Sequence, residues 1–226
     1  MNSSSTIGAI IFDCDGVLVD SEVLALEVEL GSLAEIGLDY SRSEFVARFT
    51  GRSNDAFFAL LEEDSMARRG RGLPEGFRDA CHAKYRAAFE RLVEIPGARE
   101  AIAGVKLPKA VASSSTREGL DKKLRMTKLW DLFAPHIYSA DHVVHAKPAP
   151  DLFLHAADAL RVAPATCLVL EDSTNGIAAA RAAGMRVWGF TGGGHMDVAS
   201  DARLLSAGAE RIVPGWPDAA KAFALL

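Results

Sequence analysis

The sequence predicts an α/β protein, a doubly wound parallel sheet core with an inserted all-helical domain. Three observations carry that expectation. Short apolar runs stop abruptly in hydroxyl, acidic or glycine residues, as strands buried on both faces do. Helical stretches with one apolar stripe alternate with those runs, the pattern of βαβ units in a Rossmann-like core. Residues 21–92 break the alternation with helical faces and no convincing strand. The core domain is therefore expected over 1–20 plus 93–226 and a helical cap over 21–92.

Taken in order, the first apolar run opens AIIFDCDGVLVDSE (9–22), which places Asp13, Asp15, Asp20 and Glu22 within ten residues. LALEVELGSLAEIG, SEFVARFTG, NDAFFALLEED and FRDACHAKYRAAFERL then supply the helical faces of the insertion. EIPGA (94–98), with Pro96 and Gly97, marks the return to the core. The second strand is KAVASSS (109–115), followed by a helical stretch over 117–133 with Leu120, Leu124 and 126–129 on one stripe. HIYSAD (136–141) is the third strand, and 149–162 a helix facing inward through Leu152, Phe153, Ala156, Ala157 and Leu160. TCLVLED (166–172) is the fourth, leading to an alanine-rich helix (173–185) that Gly184 ends as a C′ residue. RVWGFTGGG (186–194) is the fifth, and AERIVPG (209–215) adds a sixth strand at an edge.

Composition narrows the function. Apolar residues at 49% and charged residues at 24% are ordinary for a globular protein, and 226 residues suffice for a sizeable core. A net charge of −5 argues against nucleic acid as partner, because phosphate backbones need clustered Lys and Arg. The one basic run, ARRGRG (67–72), is short and broken by glycine, and reads as a solvated loop. Cys14, Cys81 and Cys167 lack metal-ligand spacing and read as reduced thiols, so a cytoplasmic location is expected. The first residues resemble neither a signal peptide nor a spanning helix, and no membrane role is expected. The chain is expected to be a monomer or weak homo-oligomer.

The acids sit where chemistry sits in such folds. Open parallel sheets bind ligands beyond the carboxyl ends of their strands. There the first strand delivers Asp13, Asp15 and Gly16, the second Ser113 to Ser115, and the fourth Glu171 and Asp172. Lys147, in AKPAPD, follows the third. Two like charges ~4 Å apart cost about 4 kcal/mol at an effective dielectric of ~20, so such a cluster demands a cation. Carboxylates without thiols or imidazoles suit a hard cation, and Mg²⁺ is the ordinary choice. Serine hydroxyls, backbone N–H groups at a helix start and one Lys suit a phosphate. Side chains at i and i+2 of an extended segment point the same way, so Asp13 and Asp15 face the site while Cys14 turns into the core. One carboxylate can then attack phosphorus while the other handles the leaving group's proton. Gly16 permits a tight turn or close approach of the backbone to phosphate.

DCDGVLVDSE, VASSS, KPAPDLF and LEDSTNGIAAARAAGM, in this order, resemble the haloacid dehalogenase superfamily, and within it the β-phosphoglucomutase-like phosphatases with a helical cap. The resemblance implies Asp13 as the nucleophile that becomes an aspartyl-phosphate, and Asp15 as general acid and then base. It implies Ser113, Ser114 and Lys147 around the phosphoryl oxygens. Asp172, with Glu171 directly or through water, would hold Mg²⁺ beside Asp13 and the Asp15 carbonyl. RFTGRSND (48–55) is similar to the family's substrate loop, which makes Gly51 and Arg52 substrate-binding candidates. The implied activity is hydrolysis of a small phosphorylated sugar or sugar acid.

Single residues separate the nearby readings, of which a β-phosphoglucomutase-type sugar phosphomutase stays as the alternative. A dehalogenase lacks the second aspartate, and Asp15 is present; a phosphonate hydrolase carries a lysine in the first cap helix, and SEVLALEVELGSLAE has none. A sugar phosphomutase carries a histidine early in the cap, where Ala25 stands here. A non-catalytic sugar-phosphate sensor would have lost a motif, and all four are intact. TGGGH (191–195) reads as a flexible turn, and His142 and His145 as loop residues.

Overall fold

The structure, a computed structural model, describes residues 6–49 and 54–226. In chain order it runs β1 (Ala9–Phe12), α1 (Ser21–Glu35), α2 (Arg42–Phe49), α3 (Asn54–Arg69), α4 (Phe77–Ala88), α5 (Ala98–Gly104), β2 (Lys109–Ser113), α6 (Arg117–Met126), α7 (Trp130–Phe133) and β3 (Ile137–Ser139). It continues α8 (Asp151–Leu160), β4 (Cys167–Glu171), α9 (Thr174–Ala182), β5 (Arg186–Phe190), α10 (Ser200–Ser206), β6 (Ile212–Val213) and α11 (Trp216–Phe223). The chain divides into two units, Met1–Asp20 with Leu92–Leu226, and Ser21–Arg91.

The six strands form one parallel sheet in the order β3-β2-β1-β4-β5-β6, with β6 at an edge. That is the order 3-2-1-4-5-6 of doubly wound sheets, whose direction reverses between β1 and β4. Register places Phe12 level with Val111 on one side and Leu170 on the other. Residues just past these three strands therefore leave the sheet side by side.

Both faces of β1 are covered, which is why AIIF is apolar without alternation. Ala9 and Ile11 belong to a cluster with Leu152, Phe153 and Ala156 of α8 and Ile177 and Ala180 of α9. On the other face the Phe12 ring meets Phe133 at 5.7 Å and Trp216 and Phe223 each at 5.9 Å between centroids. Full burial of a side chain of this size contributes about 1.5–3 kcal/mol, so β1 is a firm base for a loop carrying charges. Cys14 is fully buried, as the alternation predicts.

The unit Ser21–Arg91 has a separate core of Leu26, Leu33, Phe45, Phe49, Leu61 and Phe77. Its rings interlock, with Phe45 and Phe49 at 4.8 Å and Tyr40 edge-on to Phe49 at 5.4 Å. The Tyr40 hydroxyl donates to the buried Asp64 at 2.9 Å, and Arg48 pairs with the same carboxylate.

Two local expectations change. The stretch 117–133 is not one helix: α6 ends at Met126, Lys128 adopts φ 56°, and α7 restarts at Trp130. The Leu129 N–H reaches back to the Leu124 carbonyl at 2.8 Å, which closes the first helix and keeps Leu129 buried. The TGGGH segment is tied down rather than slack. Thr191 N–H donates to the Val213 carbonyl at 3.0 Å, and Gly194 N–H to Asp20 Oδ1 at 3.2 Å. Among the described residues, no helix is long and apolar enough to cross a membrane.

Candidate active site

β1 ends at Phe12, and the backbone ladder runs one step further, Asp13 N–H donating to the Leu170 carbonyl at 3.0 Å. The chain then turns sharply at Gly16, φ 79°, with Gly16 N–H on the Val19 carbonyl at 2.8 Å. A Cβ at Gly16 would lie 1.8 Å from Asp172 Oδ2, so only glycine lets this turn approach the end of β4. The Trp216 indole N–H holds the Val17 carbonyl at 3.0 Å and fixes the turn from below.

Lys147 is the centre of charge. Its buried ammonium donates to Asp13 Oδ1 at 2.6 Å, Glu171 Oε1 at 2.8 Å and the Ala112 carbonyl at 2.9 Å, which uses all three protons. Burial alone would push the Lys147 pKa down, but the Asp13 and Glu171 carboxylates outweigh it and hold the ammonium above its ordinary range. Asp13 is pushed the other way from a normal carboxylate. Burial first, and then Glu171, Asp172 and Asp15, raise its pKa well up against the pull of Lys147.

Glu171 is buried and bonded on both oxygens. Oε1 accepts from Lys147, while Oε2 accepts from the Ser173 N–H at 2.8 Å and the Ser173 hydroxyl at 2.9 Å. Ser173 also caps α9, accepting from Gly176 N–H at 3.0 Å. A Cβ at Gly176 would fall 1.6 Å from Glu171 Oε1, so the first turn of α9 is hollowed around this carboxylate.

Asp15 has a different set of partners. Ser115 Oγ donates to its Oδ2 at 2.9 Å, Ser113 Oγ makes a longer contact of 3.4 Å, and Lys123 forms an ion pair with Oδ1. Lys123 also donates to Ser115 Oγ at 2.8 Å. Ser114 is exposed at the tip of the same turn. Gly51 and Arg52 lie outside the described residues.

The geometry thus brings Asp13, Asp15, Gly16, Ser113, Lys147, Glu171 and Asp172 to the carboxyl edge of β1, β2 and β4. Two residues escaped the sequence reading: Lys123 and His195, whose Nε2 lies 3.2 Å from Asp172 Oδ2. Ser115, already placed at the end of the second strand, stands two residues after Ser113 and points with it toward Asp15. Lys123 sits in the buried stripe of α6 between Leu120 and Leu124, and a cation on an apolar face was its signal. No periodicity points to His195.

The donor set fits a cation. Oxygen atoms of Asp13, Glu171 and Asp172 lie within 4.8 Å of one another. Four carboxylates against the two ammonium groups of Lys123 and Lys147 leave two formal negative charges in the cluster. An all-oxygen set with that residual charge matches a hard divalent ion. Next to it stand hydroxyls and the capped N-terminus of α9, the equipment for a bound anion.

Residues 7–184 match the family model for haloacid dehalogenase-like hydrolases. The chain is 37% identical over 194 residues to hexitol phosphatase B of Escherichia coli (strain K12), covering 82% of this chain and 84% of that one. It is 29% identical over 196 residues to the 6-phosphogluconate phosphatase of the same organism, covering 84% and 86%. Its fold superposes on a HAD family hydrolase from Deinococcus radiodurans R1, crystallised with bound phosphate and sodium. The TM-score there is 0.88 at 34% identity, over 99% of both chains.

Proposed function

The chain belongs to the haloacid dehalogenase-like hydrolases and is a phosphoric monoester hydrolase, and from that premise we propose that it is a Mg²⁺-dependent phosphatase for a small phosphorylated sugar or sugar acid, working through an aspartyl-phosphate on Asp13. One observation carries the reading. Asp13 and Asp15, two residues apart, have separate partners, Lys147 for the first and Lys123 with the Ser115 and Ser113 hydroxyls for the second, so the two carboxylates are equipped for different tasks.

In the first half-reaction a carboxylate oxygen of Asp13 attacks phosphorus while the ester P–O bond breaks. Asp15 gives its proton to the departing sugar oxygen. Lys147, on Asp13 Oδ1, fixes the rotation of the nucleophile and offsets negative charge beside it. The Ser113 hydroxyl and the backbone at Ser114 receive phosphoryl oxygens at the end of β2. In the second half-reaction Asp15 takes a proton from water, the water oxygen attacks phosphorus, and the P–O bond to Asp13 breaks to release phosphate. Asp13, Glu171 and Asp172 would hold the Mg²⁺, with the Asp15 carbonyl beside it; Glu171, already bonded on both oxygens, would act directly or through water. When bound, the ion neutralises the charge gathered between nucleophile and phosphate. Accelerations up to ~10²¹ are known for such esters, so these effects must act together.

The helical unit Ser21–Arg91 takes the part of a cap that supplies specificity. The chemistry of hexitol phosphatase B and the 6-phosphogluconate phosphatase supports an acyclic polyol or sugar-acid phosphate as substrate.

The test is phosphate release from p-nitrophenyl phosphate and a panel of sugar, sugar-acid and polyol phosphates, with Mg²⁺ and with EDTA. Asp13→Asn should abolish turnover, and Asp15→Asn should retain one phosphoryl group by intact-protein mass. Metal-independent release, or a fully active Asp13→Asn, sinks the mechanism.

A further inference from the structure

The loop after β5 carries the one imidazole in contact with the acidic cluster, among the described residues. His195 Nε2 lies 3.2 Å from Asp172 Oδ2, with both side chains largely buried. A carboxylate only accepts, so a hydrogen bond across this contact is made by the tautomer that carries the proton on Nε2. The ring's place is carved by two glycines. A Cβ at Gly16 would lie 2.7 Å from His195 Cε1, and a Cβ at Gly193 would lie 2.8 Å from Cε1 and Nδ1 of the same ring. The Gly193 Cβ would also be 2.8 Å from the Gly16 carbonyl, so the two loops meet face to face with the imidazole between them. The loop is pinned at both ends, at Thr191 to β6 and at Gly194 to Asp20, the third acid of the opening motif.

We propose that His195 is a positioning residue for the cation site: its Nε2–H fixes the rotation of the Asp172 carboxylate so that this side chain meets the divalent ion in the correct orientation. Carboxylate and imidazole partners behind a metal ligand orient it, and their loss typically costs 10–100-fold in metal affinity. Asp20 acts one step further back, by holding the loop that carries His195. The inference rests on the Mg²⁺ reading of the site, and its test separates the two.

The experiment titrates metal-free protein with Mn²⁺, following free Mn²⁺ by electron paramagnetic resonance, without substrate or turnover. Three chains are compared: wild type, His195→Phe, which keeps a ring but has no N–H, and His195→Gln, which keeps an N–H at similar reach. His195→Phe should bind Mn²⁺ about 10–100-fold more weakly, and His195→Gln within about threefold of wild type. Metal-free melting temperatures of all three report any loss of packing. Unchanged or tighter binding in His195→Phe overturns the proposal. So does an equal loss in both variants, which would mark a packing role only. If wild type itself binds no Mn²⁺, the cation site falls and the inference with it, an outcome distinct from either.

Discussion

Lys147 Nζ stands 2.6 Å from Asp13 Oδ1, and the same ammonium stands 2.8 Å from Glu171 Oε1. One buried cation thus bridges the end of β1 and the end of β4 across the point where the sheet reverses direction. Positioning of the proposed nucleophile and stability of the sheet edge both involve this one side chain.

Lys147→Met should therefore damage both. Breaking a buried pair from one side costs about 3–5 kcal/mol, because the acids left behind are uncompensated. Urea unfolding should register a loss of that order, and phosphatase turnover should fall by about 10³-fold or more. Lys147→Met with Glu171→Gln should recover part of the stability and none of the turnover. A stable, active Lys147→Met would show that the bridge does neither job.

Lys123 tests the partition between the two aspartates. It pairs with Asp15 and donates to Ser115 Oγ, so its removal should disturb proton transfer more than attack on phosphorus. Lys123→Met should lower kcat by about 10–100-fold with KM little changed. Lys123→Arg should recover much of it. A change confined to KM would place Lys123 on the substrate instead.

The contrast between these two lysines shows what was legible in the sequence. Lys147 lies in a loop between a strand end and a helix start, and Asp13, Ser113 and Asp172 likewise terminate apolar runs. Strand ends are local features, and the rule for parallel sheets brings them to one edge. Lys123 lies inside an amphipathic helix whose other charges face solvent, and its partner Asp15 is 108 residues away. Only packing decides which charge of α6 turns inward. His195 is further from reach still, because three glycines before it leave the path of the loop undetermined until Gly16 and Asp172 are in place. The break at Lys128 was hidden for a related reason: the apolar stripe continues through it, and the stripe was read as one helix.

The helical unit makes a prediction of another kind. Glu29 lines a cavity of about 180 Å³ with Ala25, Val28, Phe58, Cys81, His82 and Tyr85. Burial, and then the charge of Glu22, push its pKa up to about 7 from 4.5. The folded chain thus holds this proton more tightly than the unfolded chain does. Stability falls as pH rises through the window from 4.5 to about 7, and the deficit persists above it. Glu29→Gln should gain about 2 kcal/mol at pH 8, after allowance for solvent screening, and nothing near pH 4. Urea midpoints of the two proteins at both pH values decide it. An equal gain at both would mean that charge is not the cause.

The last prediction concerns where the phosphoryl group goes. An aspartyl-phosphate on Asp13 can pass to water or to a second sugar hydroxyl, and the same core serves both outcomes. The family resemblance implies a histidine early in the cap of the mutases, and the sequence has Ala25 at the matching place. A methyl group offers no donor or acceptor to gate water, so the proposed phosphoenzyme should decay by hydrolysis. Incubation with β-glucose 1-phosphate and a trace of the 1,6-bisphosphate should release free phosphate faster than it forms glucose 6-phosphate. The reverse ranking would make transfer the native reaction and would require another residue to exclude water.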